Sequence, residues 1–383
     1  MEILATIFLA SLVTIFYIYA GYPIVLWVLK TLLKNDPPRK HSIEPTVTIL
    51  VPAYNEASCI LETIKNKISL DYPSDKFEVL VVSDGSTDGT DDIVRLMDSS
   101  QVRLLRQEPR AGKTAALNRA VPEARGDILV FSDANSIYER EALRALVSNF
   151  ADDRVGYVTG KMIYINPDRS ITGDGCSLYM KYENYLRSLE TSVGSVVGVD
   201  GGIDAVRKRL YVTMRNDQLP DFVLPLKVVE QGFRVVYEPS AILREPALGH
   251  AGDEYRMRVR VSLRALWALS DMRHLFNPFR FGLFSWQLVS HKLLRYLVFL
   301  FLAAIYVSSA FLSTQHIAFR AVYHAQNVLY ILAASSFLLE RFGWRLRGFY
   351  VPYYFTLLNV ASAHAVVKFL LGRKKVLWTP RKG

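Results

Sequence analysis

The spacing of apolar and polar positions divides the chain into three parts. Residues 3–33 are almost wholly apolar, with Glu2 before them and Lys30, Lys34, Arg39 and Lys40 near or beyond their end. A run of this length can cross a bilayer as a helix. The basic residues behind it place the next segment on the cytoplasmic side. With no positive segment ahead and no small-residue cleavage site, residues 1–35 are expected to remain as a transmembrane helix and not to act as a signal peptide. Residues 36–44, with Asp36-Pro37-Pro38, read as a linker.

From Pro45 the period changes. Residues 47–51, 77–82, 102–105 and 128–131 are short apolar runs of strand character. Between and after them, residues 56–70, 91–97, 114–124 and 140–150 carry helical periodicity. Strands that alternate with helices predict an α/β fold over residues 45–254: a doubly wound, mostly parallel sheet covered on both faces.

After residue 254 a third pattern begins. Arg256, Arg258, Arg260, Arg264 and Arg273 alternate with apolar residues, so residues 255–296 are expected to form amphipathic helices at a membrane surface. Trp286 and Tyr296 suit interface anchors. Residues 297–340 hold two further candidate spans. Residues 349–371 contain Pro352, Asn359, His364 and Lys368, which are costly against lipid. Were they to span, Arg373, Lys374, Lys375, Arg381 and Lys382 would lie outside, against the positive-inside rule. The segment is therefore expected to lie in the inner interface or to enter and return, although residues 341–383 can also be read as a third C-terminal span and a basic tail.

Composition sharpens this picture. The chain is 51% hydrophobic with net charge +10, and its mean hydropathy is +0.15. The positive charges gather beside apolar segments, which favours an anionic inner leaflet and diphosphate substrates over nucleic acid. Two cysteines, Cys59 and Cys176, form neither a zinc motif nor a disulfide framework, as suits a reducing compartment.

The candidate chemistry sits at the ends of the predicted strands, where open α/β sheets bind ligands. Phe131-Ser132-Asp133-Ala134-Asn135 ends one strand with two oxygen ligands that can face one hard cation or cap the following helix. Val51-Pro52-Ala53-Tyr54-Asn55-Glu56 ends another, because proline cannot sit inside a ladder; its loop can offer Asn55 and backbone groups to a flat base. Ser83-Asp84-Gly85-Ser86-Thr87-Asp88-Gly89 puts a further carboxylate beside the same crevice, and Asp84 can accept from a base or ribose. Arg110-Ala111-Gly112-Lys113-Thr114 is not a P-loop, since its first glycine would fall at Gln107 and no strand runs directly into it. Lys113 at a helix N-terminus can touch phosphate or point into solvent.

In this order and spacing, these segments resemble the inverting glycosyltransferases of family 2. The membrane layout resembles the family's membrane-embedded branch, the cellulose, hyaluronan, chitin and poly-N-acetylglucosamine synthase-like enzymes. The resemblance implies a GT-A-type fold and a cytoplasmic catalytic domain on a multi-pass inner (plasma) membrane protein. It implies a UDP-sugar donor, a saccharide or polyprenyl-linked acceptor, contact with the lipid bilayer, and other polysaccharide-assembly proteins as possible partners. Ala53, Tyr54, Glu56 and Asp84 would then hold uridine. Asp133, and Asn135 in place of the usual second aspartate, would hold Mg²⁺ or Mn²⁺ on the donor diphosphate. Gly202 and Asp204, within Gly201-Gly202-Ile203-Asp204-Ala205-Val206-Arg207, would shape the acceptor side. Asp221 would be the general base, with Pro220 where an acidic residue is often found; without the family it reads equally as a helix cap.

The family's Gln-x-x-Arg-Trp motif corresponds to Met257-Arg258-Val259-Arg260-Val261. Its arginine is kept as Arg260, and Arg258 and Arg260 would bind pyrophosphate. Its tryptophan, which supports the acceptor sugar by stacking, is Val261, so short products are expected. Trp378, in Trp378-Thr379-Pro380-Arg381, resembles the residue that closes over the donor in hyaluronan-synthase-like enzymes. A nucleotidyltransferase and an inactive scaffold subunit are the competing readings.

Overall fold

The computed structural model describes residues 1–33, 36–166, 170–246, 251–342 and 349–374. Trp378 and the basic residues 375–383 lie outside the described residues, as do Arg345 and Arg347.

Two helices open the chain, α1 (Glu2–Phe16) and α2 (Tyr22–Leu33), joined without a break by a π-helical turn at Tyr17–Gly21. The α/β domain follows: β1 (Val47–Ala53), α3 (Ile60–Ile68), β2 (Phe77–Asp84), α4 (Thr90–Arg95), β3 (Val102–Gln107), α5 (Lys113–Glu123) and β4 (Ile128–Ser132). It continues with β5 (Ile137–Tyr138), α6 (Ala142–Ser148), β6 (Val155–Ile165), α7 (Ile171–Val193), β7 (Ile203–Arg207), α8 (Pro220–Glu230) and β8 (Arg234–Pro246). The C-terminal part comprises α9 (Ala251–Asp271), three short helices α10 (Pro278–Phe281), α11 (Leu283–Leu288) and α12 (Leu294–Tyr296), then α13 (Val298–Leu312), α14 (Ile317–Arg341) and α15 (Tyr350–Leu370).

The eight strands form one sheet in the order β3-β2-β1-β4-β7-β6-β8-β5. β3, β2, β1 and β4 are parallel, as the alternating pattern predicts. Beyond β4 the sheet is mixed: β7 runs antiparallel to both β4 and β6, β6 is parallel to β8, and β5 is antiparallel to β8. Both faces are covered, so β1 and β2 are buried along their whole length. Their side chains alternate between two cores. Val47, Ile49, Val51, Val79 and Val81 feed one, and Leu50, Leu80, Val82, Leu129 and Phe131 the other.

One expectation shifts by two residues. β1 runs through Pro52 to Ala53 in register with β2, although its pairing with β4 ends at Leu50. With pairing one-sided there, an imino nitrogen is tolerated.

Glu2–Leu33 and Ile317–Leu339 are helical stretches long and apolar enough to cross a membrane. Leu283–Tyr296 and Val298–Leu312, bent by 58°, would add a third if the pair counts as one span. The segment expected as a surface helix over 276–296 is thus broken into pieces. A second π-helical turn, Val289–Leu293, lies in it and faces the first: the Tyr17 hydroxyl is 2.7 Å from Ser290 Oγ and accepts from Trp286 Nε1 at 2.7 Å. The N-terminal helices dock on the α/β domain through Tyr22 and Leu26, which pack with Leu186, Leu189 and Val193 of α7.

Candidate active site

The loops after β1 and β2 are stitched together by short polar side chains. Asn55 sits at φ 54°, a left-handed conformation that asparagine tolerates. Its Oδ1 accepts from the Thr87 amide at 2.8 Å, and its own amide donates to Ser86 Oγ at 3.1 Å. The Glu56 amide donates to Thr90 Oγ1 and the Ala57 amide to Asp88 Oδ2. The Asn55 carboxamide oxygen is therefore engaged by the Thr87 amide. Tyr54 carries the Arg110 guanidinium 3.4 Å from its ring centroid, and Ala53 is buried.

Asp84 is fully buried at the end of β2. Its carboxylate accepts from Gln107 Nε2 at 2.6 Å and from the amides of Ala111 and Gly112 at 2.8 and 2.9 Å. In this conformation it fixes the Arg110–Gly112 turn, and through it the start of α5. That is a different task from the nucleoside contact read from the sequence.

α5 begins at Lys113, which points back across the strand ends. Lys113 Nζ lies 2.7 Å from Asp133 Oδ1 and 3.7 Å from Asp221 Oδ1. Burial would lower its pKa, but the carboxylates of Asp133 and Asp221 outweigh burial and hold the ammonium above its ordinary range. Asp221 sits in the first turn of α8, with Pro220 starting the helix. Burial raises the Asp221 pKa and Asp133 adds to the rise; Lys113 and Arg264 oppose it, and the net direction is upward. Its side chain remains 27% exposed.

These groups line one cavity of about 320 Å³. Glu56, Lys113, Asp133, Asn135 and Asp221 form one end, and Arg260, Arg264, Met257 and Val261 of α9 form a side. Arg264, expected from the sequence only as one of the charges of a membrane-surface helix, belongs to the cavity instead. It is buried, donating to Thr114 Oγ1 at 3.3 Å and to the Gln218 carbonyl. The signal available was its position one helical turn beyond Arg260. The lining continues over Tyr19 of the N-terminal helices, Glu183 of α7, and His291, Arg295 and Asn359 of the C-terminal helices.

Asp133 and Asn135 offer a carboxylate and a carboxamide oxygen on the same wall, a donor set that suits a hard cation completing its shell with diphosphate and water oxygens. The ammonium on Asp133 marks this point as one that attracts positive charge. Among the described residues no three His, Cys, Asp or Glu side chains converge as a ready-made metal cage.

Three residues differ from expectation. Asp204 is fully buried and does not line the cavity. Its Oδ2 accepts from the Tyr157 hydroxyl and the Gly201 amide, both at 2.9 Å, and burial pushes its pKa up to about 7. Gly202 is likewise enclosed, against Leu243, Met162 and Glu245. The wall they were expected to form is made by Gly198, Val199 and Asp200. Arg258 reaches the cavity, but its guanidinium donates to Glu254 Oε1 and the Tyr354 hydroxyl, each at 2.7 Å, tying α9 to α15.

A sheet of parallel strands turning mixed after its acidic tip, with carboxylates and cations gathered at the strand ends, defines a GT-A-type fold. A mannosyltransferase from Pyrobaculum calidifontis, solved with GDP-mannose and Mn²⁺, has the same architecture. It superimposes with a TM-score of 0.72 over 97% of this chain and 99% of the other, at 24% identity. Residues 48–201 match the model of glycosyl transferase family 2. Curated relatives include a probable glycosyltransferase of Bacillus subtilis, 28% identical over 232 residues, covering 56% of this chain and 54% of the relative. A poly-β-1,6-N-acetyl-D-glucosamine synthase of Staphylococcus aureus is 27% identical over 221 residues, covering 56% and 53%. The matches thus span about half the length of these relatives.

Proposed function

We propose that the protein is a membrane-bound inverting glycosyltransferase. It moves a sugar from a nucleotide diphosphate donor, UDP-linked by the resemblance of its motifs, to a saccharide or lipid-linked acceptor in surface polysaccharide synthesis. The observation that carries this reading is the meeting of Asp133, Asn135, Lys113 and Asp221 along one cavity, from three separate segments. A scaffold subunit has no need of such a meeting.

An inverting transfer is one displacement. The acceptor hydroxyl oxygen bonds to the anomeric carbon, its proton passes to a base, and the carbon–oxygen bond to the diphosphate breaks with its electron pair. Asp221 is the base: it is carboxylic, faces the cavity, and its raised pKa brings it nearer the operating pH. Asp133 and Asn135 would hold a divalent cation, Mg²⁺ or Mn²⁺, which when bound supplies charge neutralisation on the diphosphate. Lys113, Arg260 and Arg264 add fixed positive charge on the same side. Val261 leaves the acceptor wall without a stacking ring, which favours one or a few additions over a long polymer.

Nucleotide release by the purified protein in membranes tests this, across a panel of UDP-sugars with GDP-mannose included because the structural neighbour was solved with it. We expect UDP release with one UDP-sugar, abolished by EDTA and by Asp133→Ala. Pyrophosphate release from UTP or GTP supplied with a sugar 1-phosphate, with no UDP release from a UDP-sugar, would identify a nucleotidyltransferase; no release with any donor would favour the scaffold, and full activity in EDTA would remove the metal from the mechanism.

A further inference from the structure

A second cavity, of about 200 Å³, lies between α9 and α15. Tyr255, Arg256 and Arg260 line it from α9, and His364 and Lys368 from α15. Its apolar lining comes from Val259 and Leu263. The charged neighbours acting on His364 are Lys368 and Arg373, both cations, and the His364 ring is fixed by the Tyr255 hydroxyl 2.8 Å from Nδ1. Beside Lys368 the outer face of α15 is greasy: Val367, Leu370 and Leu371 are 53%, 76% and 64% exposed. A cation-lined hollow bordered by exposed apolar side chains fits an anionic head joined to a hydrocarbon tail.

Arg260 lines this hollow and also the reaction cavity. Arg256, Arg260 and Arg264 follow one another at four-residue steps, so they share one face of α9. Arg256 is exposed on the outside, Arg260 stands in the wall between the cavities, and Arg264 is buried beside Asp221. Arg256 also pairs with Asp253 on the same helix, and the three guanidinium groups run from the exposed surface of α9 to the candidate base.

We infer that the α9–α15 hollow binds a lipid-borne phosphate, and that the arginine line guides that phosphate toward the reaction cavity. This deepens the glycosyltransferase reading and rests on it: the acceptor would be a saccharide carried on a lipid phosphate, its hydroxyl presented to Asp221 and its tail remaining against α15. The same chemistry could come from an anionic phospholipid of the bilayer, which would then occupy the hollow as a headgroup site.

Native mass spectrometry of the full chain tests this, with a polyprenyl phosphate, dioleoylphosphatidylglycerol and, as neutral control, dioleoylphosphatidylcholine titrated separately. We expect a phosphate-bearing lipid to bind well above the control. The double variant Arg256→Gln/Lys368→Gln should weaken that binding roughly tenfold or more, with unchanged melting temperature and unchanged UDP-sugar binding. Lys368→Arg should restore most of the effect of the single Lys368→Gln change. Preference for the polyprenyl phosphate identifies an acceptor site, and equal binding of phosphatidylglycerol identifies a headgroup site. Equal binding by wild type and double variant, or no excess over the neutral lipid, overturns the inference. Lipid binding is read without turnover, so failure to bind any UDP-sugar would strike the glycosyltransferase reading alone.

Discussion

At the scale of single residues, the site is a contest of charges. Lys113 bridges Asp133 and Asp221, and each carboxylate needs that ammonium in the absence of other cations. If Asp221 is the base, Asp221→Asn should leave donor binding nearly intact and cut transfer by on the order of a hundredfold or more. Isothermal titration with the donor, set beside sugar transfer, separates the two effects; comparable transfer rates in mutant and wild type would refute the assignment. The raised Asp221 pKa also fixes the sign of the acid limb. The base works only when ionised, so kcat/KM should fall as pH drops through a value above the ordinary carboxylate range.

Asp204 gives a second prediction from a neighbouring carboxyl. Its folded pKa of about 7 lies above the usual carboxylate value, so the folded state holds its proton more tightly than the unfolded chain. Stability from this group is full below about pH 4, declines as pH rises, and is lost above about pH 7. Asp204→Asn keeps an oxygen for the Tyr157 hydroxyl and the Gly201 amide and cannot ionise. Thermal melts should show a flatter pH dependence between about pH 4 and 7 in the variant, and identical slopes would show that Asp204 does not titrate there. The family resemblance puts Asp204 on the acceptor side; its burial behind the cavity wall is not legible in the sequence, because it depends on β7 pairing antiparallel with both β4 and β6.

At the scale of elements, the loop between α7 and β7 decides the shape of the cavity wall. Asp200 in it is held by Arg187 of α7 at 2.7 Å, with both side chains buried, and Arg187 also donates to the Gly198 carbonyl at 2.9 Å. Gly201 follows at φ +82°, and a Cβ there would lie 2.4 Å from Asp221 Oδ2. Gly201→Ala therefore both strains the backbone, by about 1–3 kcal/mol, and displaces the candidate base. We expect a lowered melting temperature and a loss of transfer larger than that destabilisation explains, with UDP binding retained; full transfer activity in the variant would show that the loop yields without moving Asp221. The strand-loop-helix elements up to residue 150 were legible because each carries its own period and its own punctuation. The elements around this loop were not: β6, α7 and β8 were left unassigned, and Arg187–Asp200 and Tyr22–Glu190 join residues whose partners are set only by tertiary packing. The polar residues at the strand ends are readable as chemistry, but which of them serve the structure, as Asp84 and Asn55 do, is visible only from their hydrogen bonds.

At the scale of the whole molecule, the contacts order the helices by depth. Phe8 of α1 stacks edge-on with Phe319 at the start of α14, at 5.0 Å, so the first turns of α1 and the α13–α14 connection share one end. Tyr17 meets Ser290, and Tyr22 donates to Glu190 of the α/β domain at 2.6 Å, so the other end adjoins the catalytic domain. α15 does not follow this axis. Its beginning packs by Tyr350 and Tyr353 against Ala251 and Tyr255, at the start of α9. Beyond its end, the Arg373 carbonyl accepts from Trp267 Nε1 at 2.9 Å, and Lys374 pairs with Asp217 at 2.6 Å, four residues before the candidate base. Both ends of α15 thus touch α9 or the catalytic domain, as a helix lying alongside the amphipathic α9 would and a helix crossing to the far side would not. The positive-inside rule points the same way, since Arg373 and Lys374 then stay with the domain. With Cys59 replaced by serine, a cysteine introduced by Arg373→Cys should resist a membrane-impermeant thiol reagent in intact cells and react once they are permeabilised. Residue 373 is exposed, and its carbonyl contact with Trp267 does not need the arginine side chain, so the substitution should not undo the packing it reports on. Labelling in intact cells would place the end of α15 on the far side, and the contacts of Arg373 with α9 and of Lys374 with Asp217 could not then exist in the membrane.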